Sequence, residues 1–433
     1  MQPPYAARTG LPSLDDVVQG LLPGDNVVWQ VDRVEDYLPF VRPFVADAAR
    51  SGKRLVYFRF ARHAPLVQAG EGAEIHELHP SIGFESFTAS IHRVIEACGR
   101  GAYYVFDCLS DLAADWYSDL MLGNFFRVTC PYLYELDTVT YFGLLRDSHS
   151  HDAVETIRST TQLLLDVFSR DGASYVHPLK VFGRASPTMY LPHARDGEAF
   201  RPITESAAVA EVLSDLAERR LDALGRHDLW DRRFEQASDA LHAVRRGWAA
   251  EGEARAHFEE LLRRILTRDE RVAELARRWL DLPDLLAIRR RTIGTGLVGG
   301  KAVGMLVARA VLLRSDPRWA AKLEPHDSWF VGSDVFYTYL VRNGCWPARR
   351  GQRDPATFLD GAAGARARIR SGWASRRRRL AAELRSLRSL GRGVGQAAAR
   401  HRSVMSAQAS LISTAAPARR ASGRPPGPGA HGP

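Results

Sequence analysis

Three apolar runs recur along the first quarter of the chain with helix-length segments between them. They are Asn26-Val27-Val28-Trp29-Gln30-Val31, Lys53-Arg54-Leu55-Val56-Tyr57-Phe58-Arg59-Phe60 and Ala102-Tyr103-Tyr104-Val105-Phe106-Asp107. Each is short and rich in β-branched and aromatic residues. Apolar side chains stand at successive positions rather than alternate ones, so each strand is expected to be buried on both faces. A short helix opens at Thr9-Gly10-Leu11-Pro12-Ser13-Leu14-Asp15, and Leu21-Leu22-Pro23-Gly24-Asp25 is a turn before the first strand. A helix follows Asp32–Asp36 and runs to about Arg50, and another covers Ser86–Gly99. Val128-Thr129-Cys130 and Val139–Leu144 look like further strands with a helix between them. Ser159–Val167 fits helix or strand, and Ser174–Val181 and Met189–Leu191 close the series as terminal strands. Strands alternating with helices predict an α/β domain, a parallel sheet covered on both faces.

The order of features over residues 8–193 resembles the RecA-like ATPase domains of the KaiC type. The resemblance rests on Thr9–Asp15, then Gly20-Leu21-Leu22-Pro23-Gly24-Asp25, then an apolar strand. It implies a glycine-rich phosphate loop ending in Lys-Thr after the first strand. It also implies an Asp at the end of the third strand that helps hold magnesium, where Asp107 stands. This sequence departs from the pattern at the loop. Gln30-Val31-Asp32-Arg33-Val34-Glu35-Asp36-Tyr37 has no glycine and no lysine, and brings three carboxylates where a triphosphate would bind. Without glycines the backbone N–H groups cannot wrap phosphates, and the acids repel them. Nucleotide hydrolysis is therefore expected to be lost here. Asp107 is then either a residual metal ligand or a polar strand end.

Ser148-His149-Ser150-His151-Asp152 has the residue types of a metal site, but the alternate spacing on a polar loop favours an exposed turn. His177 lies in a strand context and fits a packed residue. Trp116, Tyr117, Phe125, Phe126, Tyr132 and Tyr134 are spaced as core aromatics.

Residues 206–290 carry long amphipathic patterns. Ala207, Val209, Val212, Leu213, Leu216, Leu221 and Leu224 form one stripe, and Phe234, Ala237, Leu241, Val244 and Trp248 a second. Phe258 to Leu280 continue it until Leu282-Pro283-Asp284 breaks the pattern. Arginine pairs at 219–220, 232–233, 245–246 and 263–264 alternate with acids, as on solvated, ion-paired faces.

Beyond them stands Gly294-Thr295-Gly296-Leu297-Val298-Gly299-Gly300-Lys301-Ala302-Val303-Gly304-Met305-Leu306. Gly299-Gly300-Lys301 leads into a helix with Met305, Leu306, Ala308, Val311 and Leu312 at helical spacing. Glycines let backbone approach a ligand, a helix start offers free N–H groups, and a lysine adds charge. The alternative is a turn and helix start with a solvated lysine. Together with Trp329-Phe330-Val331-Gly332-Ser333-Asp334-Val335-Phe336-Tyr337-Thr338-Tyr339-Leu340, the stretch over about 292–365 resembles the start of the ATP-binding domain of PEP synthase and pyruvate, phosphate dikinase. That resemblance implies an ATP-grasp-like fold with Lys301 at the ATP phosphates and Gly299 and Gly300 beside it. It also implies Mg2+ as the companion ion and chemistry between ATP and pyruvate or PEP. The Arg-Ser-Ser strand, metal-binding acids, histidine domain and PEP-binding barrel of that family are not in this sequence. A phosphotransferase unable to turn over by itself is therefore expected. A RecA-like regulatory or assembly module without catalysis is the alternative.

Composition settles what the net charge of +9 means. Residues 348–433 hold 18 arginines, no lysine and three acids, a net of +15, which leaves −6 for residues 1–347. The basicity thus belongs to the tail, and nucleic acid is not an expected partner of the folded body. From Ser371 the composition is Arg, Ala, Ser, Gly and Pro, too poor in apolar residues to order itself. It is either a disordered basic arm or the product of a shifted reading frame in a GC-rich gene, and the interruption of the family pattern favours the second. Four scattered cysteines with no Cys-x-x-Cys pair argue against a zinc site or a disulfide framework. No signal region and no apolar run near the roughly 18 residues of a membrane span are present, so a cytoplasmic chain without a membrane partner is expected. The predicted organisation is an α/β RecA-like domain over 1–195, a helical connector over 196–290, a truncated ATP-grasp-like α+β start over 291–370 and a disordered tail over 371–433.

Overall fold

The computed structural model describes residues 7–116, 118–170, 172–214, 229–324 and 328–371. The described residues between 7 and 323 and between 330 and 370 fall in one compact unit. Expectations about Tyr117, Leu216–Leu224, Arg219-Arg220 and the tail beyond 371 lie outside the described residues.

The sheet has nine strands. They are β1 (Asn26–Val31), β2 (Leu55–Arg59), β3 (Ala73–Glu77), β4 (Tyr103–Cys108), β5 (Val139–Leu145), β6 (Leu163–Arg170), β7 (Ala173–Val181), β8 (His193–Asp196) and β9 (Ala199–Pro202). Their order is β3-β2-β4-β5-β1-β6-β7-β8-β9. The first six are mutually parallel, and β7, β8 and β9 add antiparallel. The sheet thus continues past residue 195. The alternation of side chains across a strand divides the apolar runs between two cores. Val27, Trp29 and Val31 join Leu55, Tyr57, Tyr103 and Val105 on one face, against helices α1 (Pro12–Val18) and α2 (Leu38–Arg50). Val28, Val56, Phe58, Tyr104 and Phe106 face the other side, against α3 (Phe84–Cys98), α4 (Ser110–Trp116) and α5 (Asp119–Glu135). Helix α6 (His151–Thr160) links β5 to β6.

Three expectations are corrected. Val128-Thr129-Cys130 is not a strand but part of α5, where Phe125, Phe126, Cys130 and Leu133 make a buried helical stripe. Met189–Leu191 is turn, not strand, and the terminal strands are β8 and β9. Leu282-Pro283-Asp284 starts a helix instead of merely ending one, because proline is tolerated in a first turn and Asp281 and Asp284 cap each other's N–H groups at 3.0 Å.

Residues 206–214 are helical. The connector continues with α7 (Leu229–Arg245), α8 (Glu251–Ile265), α9 (Glu270–Trp279) and α10 (Leu282–Arg290). Its polar faces are ion-paired, with Arg277 reaching Glu259 at 2.8 Å and Glu270 at 2.6 Å. Strand β10 (Thr292–Ile293) pairs in parallel with β11 (Phe330–Val331), and between them runs α11 (Gly300–Ser315). The third core joins Trp230, Phe258, Leu261 and Leu285 to Val298, Val303, Val307 and Phe330, so it crosses residue 290 without a break. Helices α12 (Ser333–Arg342) and α13 (Trp346–Gly351) return to the sheet, where Trp346 and Tyr337 pack beside Phe84.

One buried acid at the start of the chain carries a pH signature. Asp15 is 4% exposed and accepts the Thr9 N–H at 2.8 Å. Burial pushes its carboxyl up to about 6, against the opposing pull of the Thr9 hydrogen bonds. A raised acid favours the folded state only while protonated, so its contribution falls as pH rises from about 4 to 6 and the full cost stands above that. The shift corresponds to about 3 kcal/mol. Asp15→Asn keeps an acceptor for Thr9 and removes the charge. It should be more stable than wild type at pH 8 in urea unfolding, with the difference vanishing below pH 4. Equal pH profiles for the two proteins would refute this.

Candidate functional site

In a parallel sheet, ligands bind outside the carboxyl ends of the strands where the chain reverses its direction of winding. Here β1 lies between β5 and β6, and the chain leaves β1 toward one edge and crosses it later toward the other. The crevice at the end of β1 is therefore the expected nucleotide position, and it is filled by the protein's own charges. Arg146 follows β5, its N–H held by the Val31 carbonyl at 2.7 Å. Its Nε donates to Asp32 Oδ1 at 2.8 Å, its Nη1 to Asp166 Oδ1 and its Nη2 to the Val167 carbonyl at 2.7 Å. The Arg146 side chain is 5% exposed and that of Asp166 is fully buried. The guanidinium stands where phosphate charge would require donors, and its own donors are engaged by carboxylates.

The loop beyond β1 completes the closure. Val34–Asp36 is a 3-10 turn in which Asp36 accepts the Arg33 N–H at 3.1 Å. Tyr37 ends the eight-residue stretch where a phosphate loop has its small hydroxyl residue. Its ring is buried against Gly143, where an added Cβ would come within 2.9 Å of it.

Asp107 ends β4 and is completely buried. Its Oδ2 accepts from Arg59 Nη1 at 2.6 Å and from the N–H groups of Phe60 and Ala61 at 2.7 and 2.8 Å. Its Oδ1 accepts from the Tyr57 hydroxyl. Three of these donors converge on Oδ2 and one reaches Oδ1, with His63 Nε2 3.7 Å from Oδ1. As placed, Asp107 ties the end of β2 to the end of β4.

The histidine loop differs from expectation. His149 is not on an exposed turn but 6% exposed, with Nε2 at 2.7 Å from Ser110 Oγ and Nδ1 at 3.2 Å from Asp119 Oδ1. The local polarity of Ser148–Asp152 hid this, because the partners come from α4 and α5. His151 and Asp152, which open α6, are exposed. His177 is half-buried, its Nε2 3.1 Å from the Tyr190 carbonyl. Among the described residues no group of three or more His, Cys, Asp or Glu is arranged to hold a metal ion. Trp116, Phe125 and Phe126 are core residues, whereas Tyr134 is 47% exposed.

Gly299, Gly300 and Lys301 lie at the start of α11, well away from these contacts in sequence, and are open. All three are exposed. No heavy atom lies within 4 Å of a Cβ built on either glycine, and neither has a positive φ. Nothing in the fold therefore requires glycine at 299 or 300. The glycines at 294, 296 and 332 are different, since each is pressed against Thr295, Ser333 or Asp334. Among the described residues Lys301 makes no ion pair or side-chain hydrogen bond. The helix behind it turns differently from the expected stripe: Val303 and Val307 are its buried residues, and Met305 is 44% exposed.

Sequence reasoning missed Arg146, Asp166, Arg59 and the Ser110–His149–Asp119 set. The available signal was position, since Arg146 stands two residues after a predicted strand. Among the described residues no helix is long and apolar enough to cross a membrane. No protein-family model matches this chain, and no curated protein is similar to it at a significant level.

Proposed function

We propose that the chain recognises the phosphates of ATP at Gly299-Gly300-Lys301, on a RecA-like scaffold that has given up nucleotide hydrolysis. The observation that carries this reading is the opposite state of the two phosphate positions. At the end of β1, Arg146 is locked between Asp32 and Asp166, and Tyr37 blocks the loop. At the start of α11, two glycines without a structural reason to be glycine stand open beside an exposed lysine. Free N–H groups, the positive end of a 16-residue helix and a fixed cation suit a phosphate. Magnesium would accompany the nucleotide and neutralise its phosphates. The resemblance to PEP synthase and pyruvate, phosphate dikinase supplies the reaction class, phosphoryl transfer between ATP and pyruvate or PEP. Turnover awaits acids and a phosphohistidine carrier that these residues do not provide.

A thermal-shift series tests this. At ATP–Mg2+ tenfold above its Kd, binding contributes roughly 1.4 kcal/mol, or about 2 °C for a chain of this size. The shift should disappear in Lys301→Ala and persist in Asp36→Ala, which alters the loop after β1. No shift in the wild type, or an equal shift in Lys301→Ala, would remove ATP recognition from this segment. A scaffold without nucleotide would then be the better reading. That reading is favoured independently by α12 and α13, which seat Tyr337 and Arg349 on Glu85 and Thr338 on Asn124 at 2.8 Å.

A further inference from the structure

Ser110 opens α4 two residues after β4 ends, on a turn pinned by the Leu109 N–H to the Gly143 carbonyl at 2.8 Å. Its Oγ is 2.7 Å from His149 Nε2, and His149 Nδ1 is 3.2 Å from Asp119 Oδ1. Asp119 Oδ2 accepts the Ser150 N–H at 2.9 Å. Burial pushes the Asp119 carboxyl up, but the hydrogen bonds it receives from His149 and the Ser150 N–H help to outweigh it, and the acid lies below its usual range. A carboxylate only accepts, so Nδ1 carries a proton toward it. In the tautomer that donates Nδ1–H to Asp119, Nε2 offers a lone pair to the serine hydroxyl. That is the polarity of a base-activated nucleophile. A hydrogen-bonded bracket joining α4, α5 and the loop after β5 is the competing reading, and the Leu145 N–H donated to Ser110 Oγ at 2.8 Å serves such a bracket. Two observations favour chemistry. The serine sits on a strand-to-helix turn at the carboxyl end of a parallel sheet, followed in the chain by its acid and then its histidine, an order that serine hydrolases use. Ser110 also keeps the most surface of the three, 9% against 6% for His149 and 1% for Asp119.

We propose that Ser110, His149 and Asp119 form an activated-serine centre for small uncharged acyl esters. The neighbouring Leu109, Leu112 and Leu144 are buried, so a charged acyl group would lose its solvation on entry. Ser110 Oγ attacks the ester carbonyl and its proton passes to His149 Nε2. The C–O bond to the alcohol breaks, and the alcohol leaves with that proton. Water then splits the acyl-serine, giving the acid and restoring the hydroxyl.

The full-length protein treated with an alkyl fluorophosphonate tests the centre. Attack forms an O–P bond at Ser110, fluoride leaves and His149 takes the proton. One adduct on Ser110 is expected by intact mass and peptide mapping, and none on that peptide in Ser110→Ala. His149→Gln should label at least about 100-fold more slowly. Asp119→Asn keeps the shape and an acceptor for Ser150 but holds the imidazole in the wrong tautomer. It should slow labelling by about 10^4-fold with its melting temperature nearly unchanged. An unlabelled wild type overturns the proposal, as does labelling of Asp119→Asn at the wild-type rate, which is the result a purely structural bracket gives.

Discussion

Arg146→Ala should destabilise the protein by about 3–5 kcal/mol, the largest loss expected of a single side chain at the end of β1. The guanidinium uses Nε, Nη1 and Nη2 on three separate acceptors, from the turn after β1 and from β6. Removing it leaves Asp32 and the fully buried Asp166 side chain facing each other without the cation between them. Like charges in a poorly solvated crevice repel, and the buried Val167 carbonyl loses its donor as well. Lysine cannot substitute, because a single ammonium does not reproduce the planar fork, so Arg146→Lys should recover only part of the loss. Removing all three charges together, as Arg146→Met with Asp32→Asn and Asp166→Asn, should restore much of the stability, since much of the penalty comes from two acids that have lost their shared cation. Urea unfolding gives the comparison directly through the midpoint at constant slope. An Arg146→Ala protein within 1 kcal/mol of wild type would mean that the cluster is solvated and that the crevice at the end of β1 is not closed.

The same cluster shows why a site is harder to read from a chain than the fold that holds it. β1, β2, β4 and β5 were legible because each is a short apolar run buried on both faces, a local property of six or so residues. β3 was not, because Ala73-Glu74-Ile75-His76-Glu77 is an edge strand whose charges face water. Val128-Thr129-Cys130 has strand composition, but Phe125, Phe126 and Leu133 bury one face of a 17-residue helix around it, and that packing outweighs local preference. Asp107 could be singled out from its own strand. Its engagement by Arg59, Tyr57 and two N–H groups could not, because these groups come from β2 and the turn after it, nearly fifty positions earlier. Asp32 and Arg146 lie 114 positions apart, and nothing in either neighbourhood announces the pair. His149 was misjudged for the same reason. A polar loop suggests exposure, and burial is decided by what packs over it.

Gly332→Ala should cost at least about 3 kcal/mol and loosen the start of the C-terminal segment while leaving the nine-stranded sheet folded. The cause is steric alone. Gly332 has a φ of −66°, which alanine adopts freely. An added Cβ would stand 2.1 Å from the Thr295 carbonyl oxygen and 2.8 Å from its carbonyl carbon and nitrogen. Those are backbone atoms and cannot swing aside. Relief requires β10 and β11 to separate, which breaks the bonds from Phe330 N–H to the Arg291 carbonyl at 2.8 Å and from Gly332 N–H to the Ile293 carbonyl at 2.9 Å. It also strips Thr295 from Asp334, a buried acid that holds the Thr295 N–H at 2.8 Å and its hydroxyl at 2.9 Å. Hydrogen exchange should therefore show Phe330 and Gly332 losing protection while β1, β4 and β5 keep theirs. Gly300→Ala is the matched opposite. It begins a helix, its Cβ meets nothing within 4 Å, and it should gain about 0.5 kcal/mol from the lower entropy of the unfolded chain. If that glycine is present for close approach of a phosphate, the more stable Gly300→Ala protein should lose part of its ATP-dependent shift. An unchanged shift would mean that Lys301 acts without the glycines beside it, as a point charge on a helix end. The pair of substitutions separates the two reasons a chain has for keeping glycine: the fold has no room for a side chain at 332, whereas at 300 the fold has room and only a ligand would object.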